Sequence, residues 1–419
     1  MKIGLALGGG GAKGSYQIGV FQALRELEIK VDIVTGTSIG AINGCLGACD
    51  DFDTMHEFWS ALPNDPFLKS LNFSDISLDM AFLQKHLKIN DKKSYVSDNT
   101  QIRNLIAKYT NEEKIRKSKV NFGLVCVSFP TMKPVEVTLK DIKKGQLPDY
   151  LLASSSIFPA FPMCKIDENL YIDGGYFDNL PINLAVKMGA DFIIAVDLFA
   201  NFSAHPEYIS SPLVKYVQTK WDLGQILSFK DDFATKNRCL GYNETMKAFG
   251  KYAGFKYTFS EKSLQNVNPY ADLFAKNILI LEATIPASNL LVRKIVSHPI
   301  SKYIRESATE NPSIEDFFVR GLEICMENLR FNPTVVYDLD DVNRKIIKIF
   351  SNKSKYKYWD LFKNINKVSM SIDKTYLIGC ILYKILESDT FNDEIYILAS
   401  IFPKETISAL YVCSLMRFT

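Results

Sequence analysis

The pentapeptide Gly36-Thr37-Ser38-Ile39-Gly40 has the G-x-S-x-G spacing of a serine poised for attack on a carbonyl. That chemistry needs a strand-to-helix turn so sharp that the flanking residues two positions away must lack side chains. The serine hydroxyl is then left exposed at the amino end of the helix, where the dipole favours a developing oxyanion. The same serine can N-cap a helix beginning at Ile39, and the two roles are compatible.

A second glycine motif lies just upstream. Gly9-Gly10-Gly11-Ala12-Lys13-Gly14 fits G-x-G-x-x-G, and Asp32 follows at about the distance of a ribose-binding acid, which supports an NAD-dependent oxidoreductase. Against this, Asp32 stands at the start of the second expected strand, whereas the ribose acid belongs at its end. A P-loop is excluded, because Gly14 follows Lys13 where a magnesium-binding hydroxyl is required. The other reading is an oxyanion hole, in which consecutive residues without side chains turn their amides toward a negative charge at a helix amino end. With Gly8 the run holds four glycines in a row, more than a turn requires, and 11 of the chain's 22 glycines fall in the first 47 residues.

A serine nucleophile needs a base. The histidines are His56, His86, His205 and His298, none in a glycine-framed setting. The order Ser38, Asp173, His205 suits an α/β-hydrolase triad, but there the nucleophile follows several strands and Ser38 follows only the second. A carboxylate is the alternative. Asp173, in Tyr171-Ile172-Asp173-Gly174-Gly175, ends a strand, and its two glycines let another loop come close. An exposed Asp titrates near ~3.9, so the site must be partly desolvated for it to act as a base at neutral pH. Cys45, Cys49 and His56 could be imagined around zinc, but their apolar neighbours favour plain core packing.

These residues must be positioned by an α/β domain. Ile3 to Leu7 and Val31 to Thr35 read as strands, a helix with a stripe at Tyr16, Val20, Ala23/Leu24 and Leu27 follows the first, and the helix after Ser38 is apolar all round and should be buried. Val120 to Phe129 with Pro134 to Leu139 reads as a hairpin, and Asp191 to Leu198 as a central strand. Residues 1–200 form the expected core. Residues 201–290 read as a helical excursion containing one strand, Asn277 to Ile285, that returns to the sheet, and 291–419 as a helical C-terminal region, with Asn311-Pro312-Ser313 opening a helix that reaches Leu329.

Taken together, the three motifs resemble the patatin-like phospholipase family. The likeness covers Lys2 to about Leu198, and it extends to Gln17-Ile18-Gly19-Val20, to Ala153-Ser154-Ser155-Ser156 leading into Phe161-Pro162, and to Asn179-Leu180-Pro181. It implies a three-layer α/β fold with a central, mostly parallel sheet, a Ser38–Asp173 dyad without histidine, and an oxyanion hole from the amides of Gly9, Gly10 and Gly11. Lys13, Gly14, Gly36, Gly40, Gly174 and Gly175 then support the motifs. The expected activity is hydrolysis of phospholipid or lysophospholipid esters through an acyl-serine, with acyl transfer to another acceptor as its nearest rival; no metal or cofactor is called for.

Composition bounds the setting. With 49 basic and 47 acidic residues in 419, no global field points to nucleic acid. Eight scattered cysteines suit reduced thiols in the cytoplasm. The amino terminus is too short in apolar residues for a signal peptide, and no run reaches the ~18 to 20 residues of a spanning helix. Any membrane contact is therefore expected to be peripheral. The candidate is the stretch from Val342 to Lys367, which holds Arg344, Lys345, Lys348, Lys353, Lys355, Lys357, Lys363 and Lys367 against one acid, Asp360. Val342, Ile346, Ile349 and Phe350 would form the lipid-facing side of its helix, although such a composition can also grip a nucleic-acid backbone or coat a solvated face.

Overall fold

The computed structural model describes residues 1–65, 68, 100–158, 160–199, 205–229, 231–265, 267–283, 300–305, 312–356, 373–387 and 391–417. These form two compact units, Met1–Phe249 and Gly250–Thr419. One boundary thus replaces the expected breaks after 200 and 290, because the segment following residue 200 supplies the first unit with a further strand and a long helix.

The first unit is built on a mixed sheet of β1 (Ile3–Leu7), β2 (Ile33–Thr37), β3 (Asn121–Phe129), β4 (Lys133–Thr138), β5 (Cys164–Ile166), β6 (Asn169–Asp173), β7 (Phe192–Val196) and β8 (Val214–Val217). Its order is β5-β6-β3-β2-β1-β7-β8, with β4 on β3. The pairs β1–β2, β1–β7, β2–β3 and β7–β8 are parallel, while β6 and β4 run antiparallel to β3. Alternation along β1 shows why the layers form. Leu5 and Leu7 enter one core with Tyr16, Val20 and Ile42, whereas Ala6 enters the other with Leu180, Ile182 and Ala185. A strand apolar on both faces belongs inside a sheet covered on both sides. From β1 the chain crosses to β2 on one side and β7 on the other, and crevices for ligands open at the carboxyl ends of strands at such a switch point.

On one face lie α1 (Ser15–Glu26), α2 (Ile39–Ala48), α3 (Phe52–Ala61), α4 (Thr100–Tyr109), α5 (Glu112–Lys117) and α6 (Leu147–Ser154); α7 (Ile182–Lys187) covers the other, and α8 (Asp231–Ala248) packs on α1. The α1–α8 crossing is close enough that a Cβ on Gly19 would stand 1.9 Å from the Arg238 carbonyl oxygen, and one on Gly241 1.9 Å from that of Tyr16.

The second unit is helical: α9 (Asn268–Ala283), α10 (Ser301–Arg305), α11 (Ile314–Asn328), α12 (Leu339–Phe350), α13 (Lys374–Leu386), α14 (Asp393–Ile401) and α15 (Pro403–Met416). It also carries a small sheet of β9 (Tyr252–Ala253), β10 (Thr258–Ser260) and β11 (Val336–Tyr337). A capping box between Ser313 and Asp316 opens α11, as the sequence suggests. Glu323 of α11 is fully buried. Its Oε1 accepts from the amides of Phe255 and Lys256 at 2.8 Å and of Tyr257 at 3.0 Å, and its Oε2 accepts from the Arg320 guanidinium.

Two expectations fail here. The run from Asn277 is not a returning strand but the second half of α9, with Phe274, Ile278 and Leu281 buried at helical spacing and Leu279 exposed. A short apolar run satisfies either period, and the strand that extends the sheet is β8. Three of the four residues of the expected lipid-facing stripe are overturned as well, and Ile349 stays exposed. Val342, Ile346 and Phe350 are all completely buried in the second unit, and α12 packs against α15, with Tyr411 donating to Asn343. Of its basic residues, Arg344 pairs with Asp341, Lys353 with Glu387, and Lys355 lies by the ring of Tyr356; Lys345 and Lys348 are exposed, and Lys357 lies outside the described residues. No described helix is long and apolar enough to cross a membrane.

Candidate active site

Strand β2 delivers the chain to Ser38, whose φ of 56° and ψ of −128° are strained for any residue with a side chain, and α2 begins at the next residue. The flanking glycines are sterically required. A Cβ on Gly36 would fall 2.3 Å from the Gly40 carbonyl oxygen, and one on Gly40 would fall 2.3 Å from that of Leu7. Ser38 is only 8% exposed, and its amide donates to Ser154 Oγ at 2.9 Å.

The glycine loop leaves the end of β1 and passes beside this turn, so that a Cβ on Gly9 would stand 3.0 Å from Ser38 Cβ. The fate of its amides corrects one expectation. Gly9 N–H already donates to the Asn179 carbonyl at 3.0 Å, which removes it as an oxyanion donor, whereas no acceptor among the described residues takes the amides of Gly10 and Gly11. A buried polar network holds both ends of the loop. Gln17 donates to the Gly8 carbonyl at 2.8 Å, Asn43 donates to the Gly14 carbonyl at 3.0 Å and to Gln17 Oε1 at 2.8 Å, and Trp59 donates to Asn43 at 2.9 Å. Lys13 turns to the ring of Phe199, 4.5 Å from its centroid, and burial lowers its pKa against the opposing pull of Asp222 and Asp197.

Asp173 arrives on the far side of β3. In the ladders Thr37 pairs with Val125, and the next residue of β3, Cys126, pairs with Asp173. About two strand spacings of ~4.8 Å therefore separate the two backbones, a gap that two inward-leaning side chains close. Asp173 is 2% exposed, and burial pushes its carboxyl up to about 7 against the opposing pull of hydrogen bonds from the Ser38 hydroxyl and the Gly175 amide. The Gly175 bond is 2.7 Å long, onto Oδ1. The buried Oδ2 has no partner at full hydrogen-bond geometry among the described residues, so the Ser38 contact is a loose one, as such contacts commonly are before substrate binds. Among the described residues, no cation contributes to this carboxyl's shift. Gly174 packs onto β3, where a Cβ would fall 2.2 Å from the Val125 carbonyl oxygen.

Ser38 and Gly11 open onto a pocket whose walls are otherwise almost wholly apolar, including Ile42, Phe58, Leu105, Ile106, Leu152 and Phe229. Helix α4 contributes Ile102, Leu105 and Ile106 to that apolar wall.

The competing readings separate cleanly. His205 is held away from Ser38 chemistry by Asp178 at 3.0 Å and Glu207 at 2.8 Å, and chiefly the Asp178 bond raises its pKa to about 9. Asp32 precedes β2, and its carboxylate accepts from the Ile3 amide at 2.8 Å. It thus sits at the opposite end of the sheet from the glycine loop, and the dinucleotide reading falls. Cys45 is buried in the apolar core, and no cluster of three metal-ligating side chains exists among the described residues. Two contributors escaped the sequence reading of roles, Ser154 and Asn43. The first stood in view within Ala153-Ser154-Ser155-Ser156, and the second is a lone amide in an otherwise apolar helix, a pattern that marks a buried polar tie.

Residues 5–186 match the family model described as patatin-like phospholipase, and they form a domain of that kind. Lysophospholipase NTE1 of Coccidioides immitis (strain RS) is 32% identical over 201 residues, covering 47% of this chain and 12% of that protein. Patatin-like phospholipase domain-containing protein 7 of Rattus norvegicus is 31% identical over 199 residues, covering 47% of this chain and 13% of its own length. The chain thus spans about one eighth of the length of these relatives. The crystal structure of VipD from Legionella pneumophila aligns with a TM-score of 0.37 and 13% identity, over 97% of this chain and 91% of that one.

Proposed function

We propose that the first unit is a serine lipid acyl hydrolase that cleaves the carboxylic ester of a phospholipid or lysophospholipid. The observation that carries this reading is a buried carboxyl, without a neighbouring cation among the described residues and pushed up to about 7 by burial, set beside a strained serine at the mouth of an apolar pocket. Ser38 Oγ attacks the ester carbonyl while its proton passes to Asp173. The amides of Gly10 and Gly11, the unspent donors of the loop, take the oxyanion. Collapse expels the alcohol, which carries away a proton from Asp173, and leaves an acyl-serine. Water then attacks the acyl carbon, Asp173 takes its proton, and the fatty acid departs as Ser38 recovers its hydrogen. The acyl chain lies along the aliphatic wall. The names of the relatives in Coccidioides immitis and rat agree with this substrate class.

A fluorophosphonate probe and a lysophospholipid assay test the reading together. Wild type should be labelled and active, Ser38→Ala should lose both, and Asp173→Asn should lose about 10³-fold or more in turnover while remaining folded. Substantial hydrolysis surviving in both variants refutes the assignment.

A further inference from the structure

The dyad residues come from strands that never touch each other, since β3 lies between β2 and β6. Something must set one against the other to within a fraction of an ångström, because misplacement of reacting groups by about 1 Å is enough to cost ~10²-fold in rate. The end of α6 touches both. Ser154 Oγ accepts from the Ser38 amide at 2.9 Å and donates to the Val125 carbonyl at 2.7 Å. Two residues on, the Ser156 carbonyl accepts from the Asp173 amide at 2.9 Å. Ser154 and Ser156 are completely buried, so neither bond has water as a substitute partner. Val125 is itself the β3 residue opposite Thr37 and the one on which Gly174 rests.

We infer that Ser154 is a positioning residue, the hydroxyl through which one short segment registers the nucleophile against its base. The inference rests on the hydrolase reading. A hydroxyl is required because the atom must accept from Ser38 and donate to Val125 at once, which neither an alanine nor a purely accepting side chain can do. Losing it leaves a buried amide without an acceptor at the one residue of the turn held at a strained φ, so the strain is released by moving Ser38. Substrate binding along the aliphatic wall is untouched.

The test is Ser154→Ala compared with wild type, Ser38→Ala and Thr245→Val. Thr245 is an equally buried hydroxyl on α8, bonded to the Gly241 carbonyl at 2.7 Å and remote from the dyad, so its loss is a matched structural perturbation. Well below the melting temperature, Ser154→Ala should lose about 10- to 100-fold in kcat and in fluorophosphonate labelling rate with KM unchanged, and the exchange of the Ser38 amide should accelerate. Thr245→Val should lower the melting temperature alone. Folded Ser154→Ala with wild-type kcat, or an equal kcat loss in Thr245→Val, overturns the positioning role. If wild type and Ser38→Ala are equally unreactive, the hydrolase reading has failed and the inference falls with it, an outcome the two controls make recognisable.

Discussion

Asp173 and Glu323 are both buried carboxylates at junctions between segments, and the structure treats them oppositely. Glu323 in the second unit is saturated, with three amides on one oxygen and a guanidinium on the other. Among the described residues, Asp173 in the first unit has one amide, a loose contact from Ser38, an oxygen without a full partner and no cation. A charge stabilised on every side is a brace, because nothing remains for it to accept. A carboxyl left short of donors suits the role of base proposed for it, because a proton is the partner it lacks.

The contrast is broken most directly by exchanging carboxylate for amide at each site. Asp173→Asn should lower turnover by about 10³-fold or more and Glu323→Gln should leave Ser38 labelling at the wild-type rate. Glu323→Gln should instead destabilise the second unit by about 3–5 kcal/mol, since it removes a buried carboxylate that accepts from Arg320 and from three amides, and urea unfolding followed by a probe in that unit reads the loss. Turnover lost in Glu323→Gln with the fold intact would erase the distinction.

The next effect is on pH. If Asp173 is the base, kcat/KM should rise tenfold per pH unit on the acid side and level off at about 7. Stability should run the other way. A carboxyl whose folded pKa is raised is favoured while protonated, so the burial penalty grows as pH climbs from the unfolded value of ~3.9 through about 7. Asp173→Asn should therefore melt above wild type at pH 8 and level with it near pH 4. The smallest effect belongs to His205, whose pKa is also raised, to about 9. Its bond to Asp178 stabilises the fold fully below ~6.5 and fades as pH rises through about 9. The melting-temperature gap between wild type and His205→Gln should accordingly close over that range, with no change in turnover at pH 7.5.

Much of this was legible in the sequence, and for local reasons. Ile3–Leu7, the elbow and the Asp173-Gly174-Gly175 turn depend on residues that are neighbours in the chain, so spacing alone identifies them. What escaped depends on partners distant in sequence. Whether the run from Asn277 became strand or helix was decided by what Phe274, Ile278 and Leu281 pack into, and the face of α12 offered to lipid in the sequence was claimed by the second unit's own core. Gly9 carries the right residue type for an oxyanion donor, yet Asn179, 170 positions away, had already taken its amide. The tie from Ser154 to Ser38 spans 116 positions and leaves no local trace beyond a serine run.

The order of these parts along the chain also bears on biosynthesis. Ser38 is made before Ser154, which holds its amide, and before Asp173, the proposed base. At about 5–20 residues per second, some ~7–27 s separate the nucleophile from its base. If Asp173 is the base, the growing polypeptide carries over that interval a serine of ordinary reactivity. On the proposed mechanism, a chain that stalls before residue 173 lacks its base and spares the lipids around it.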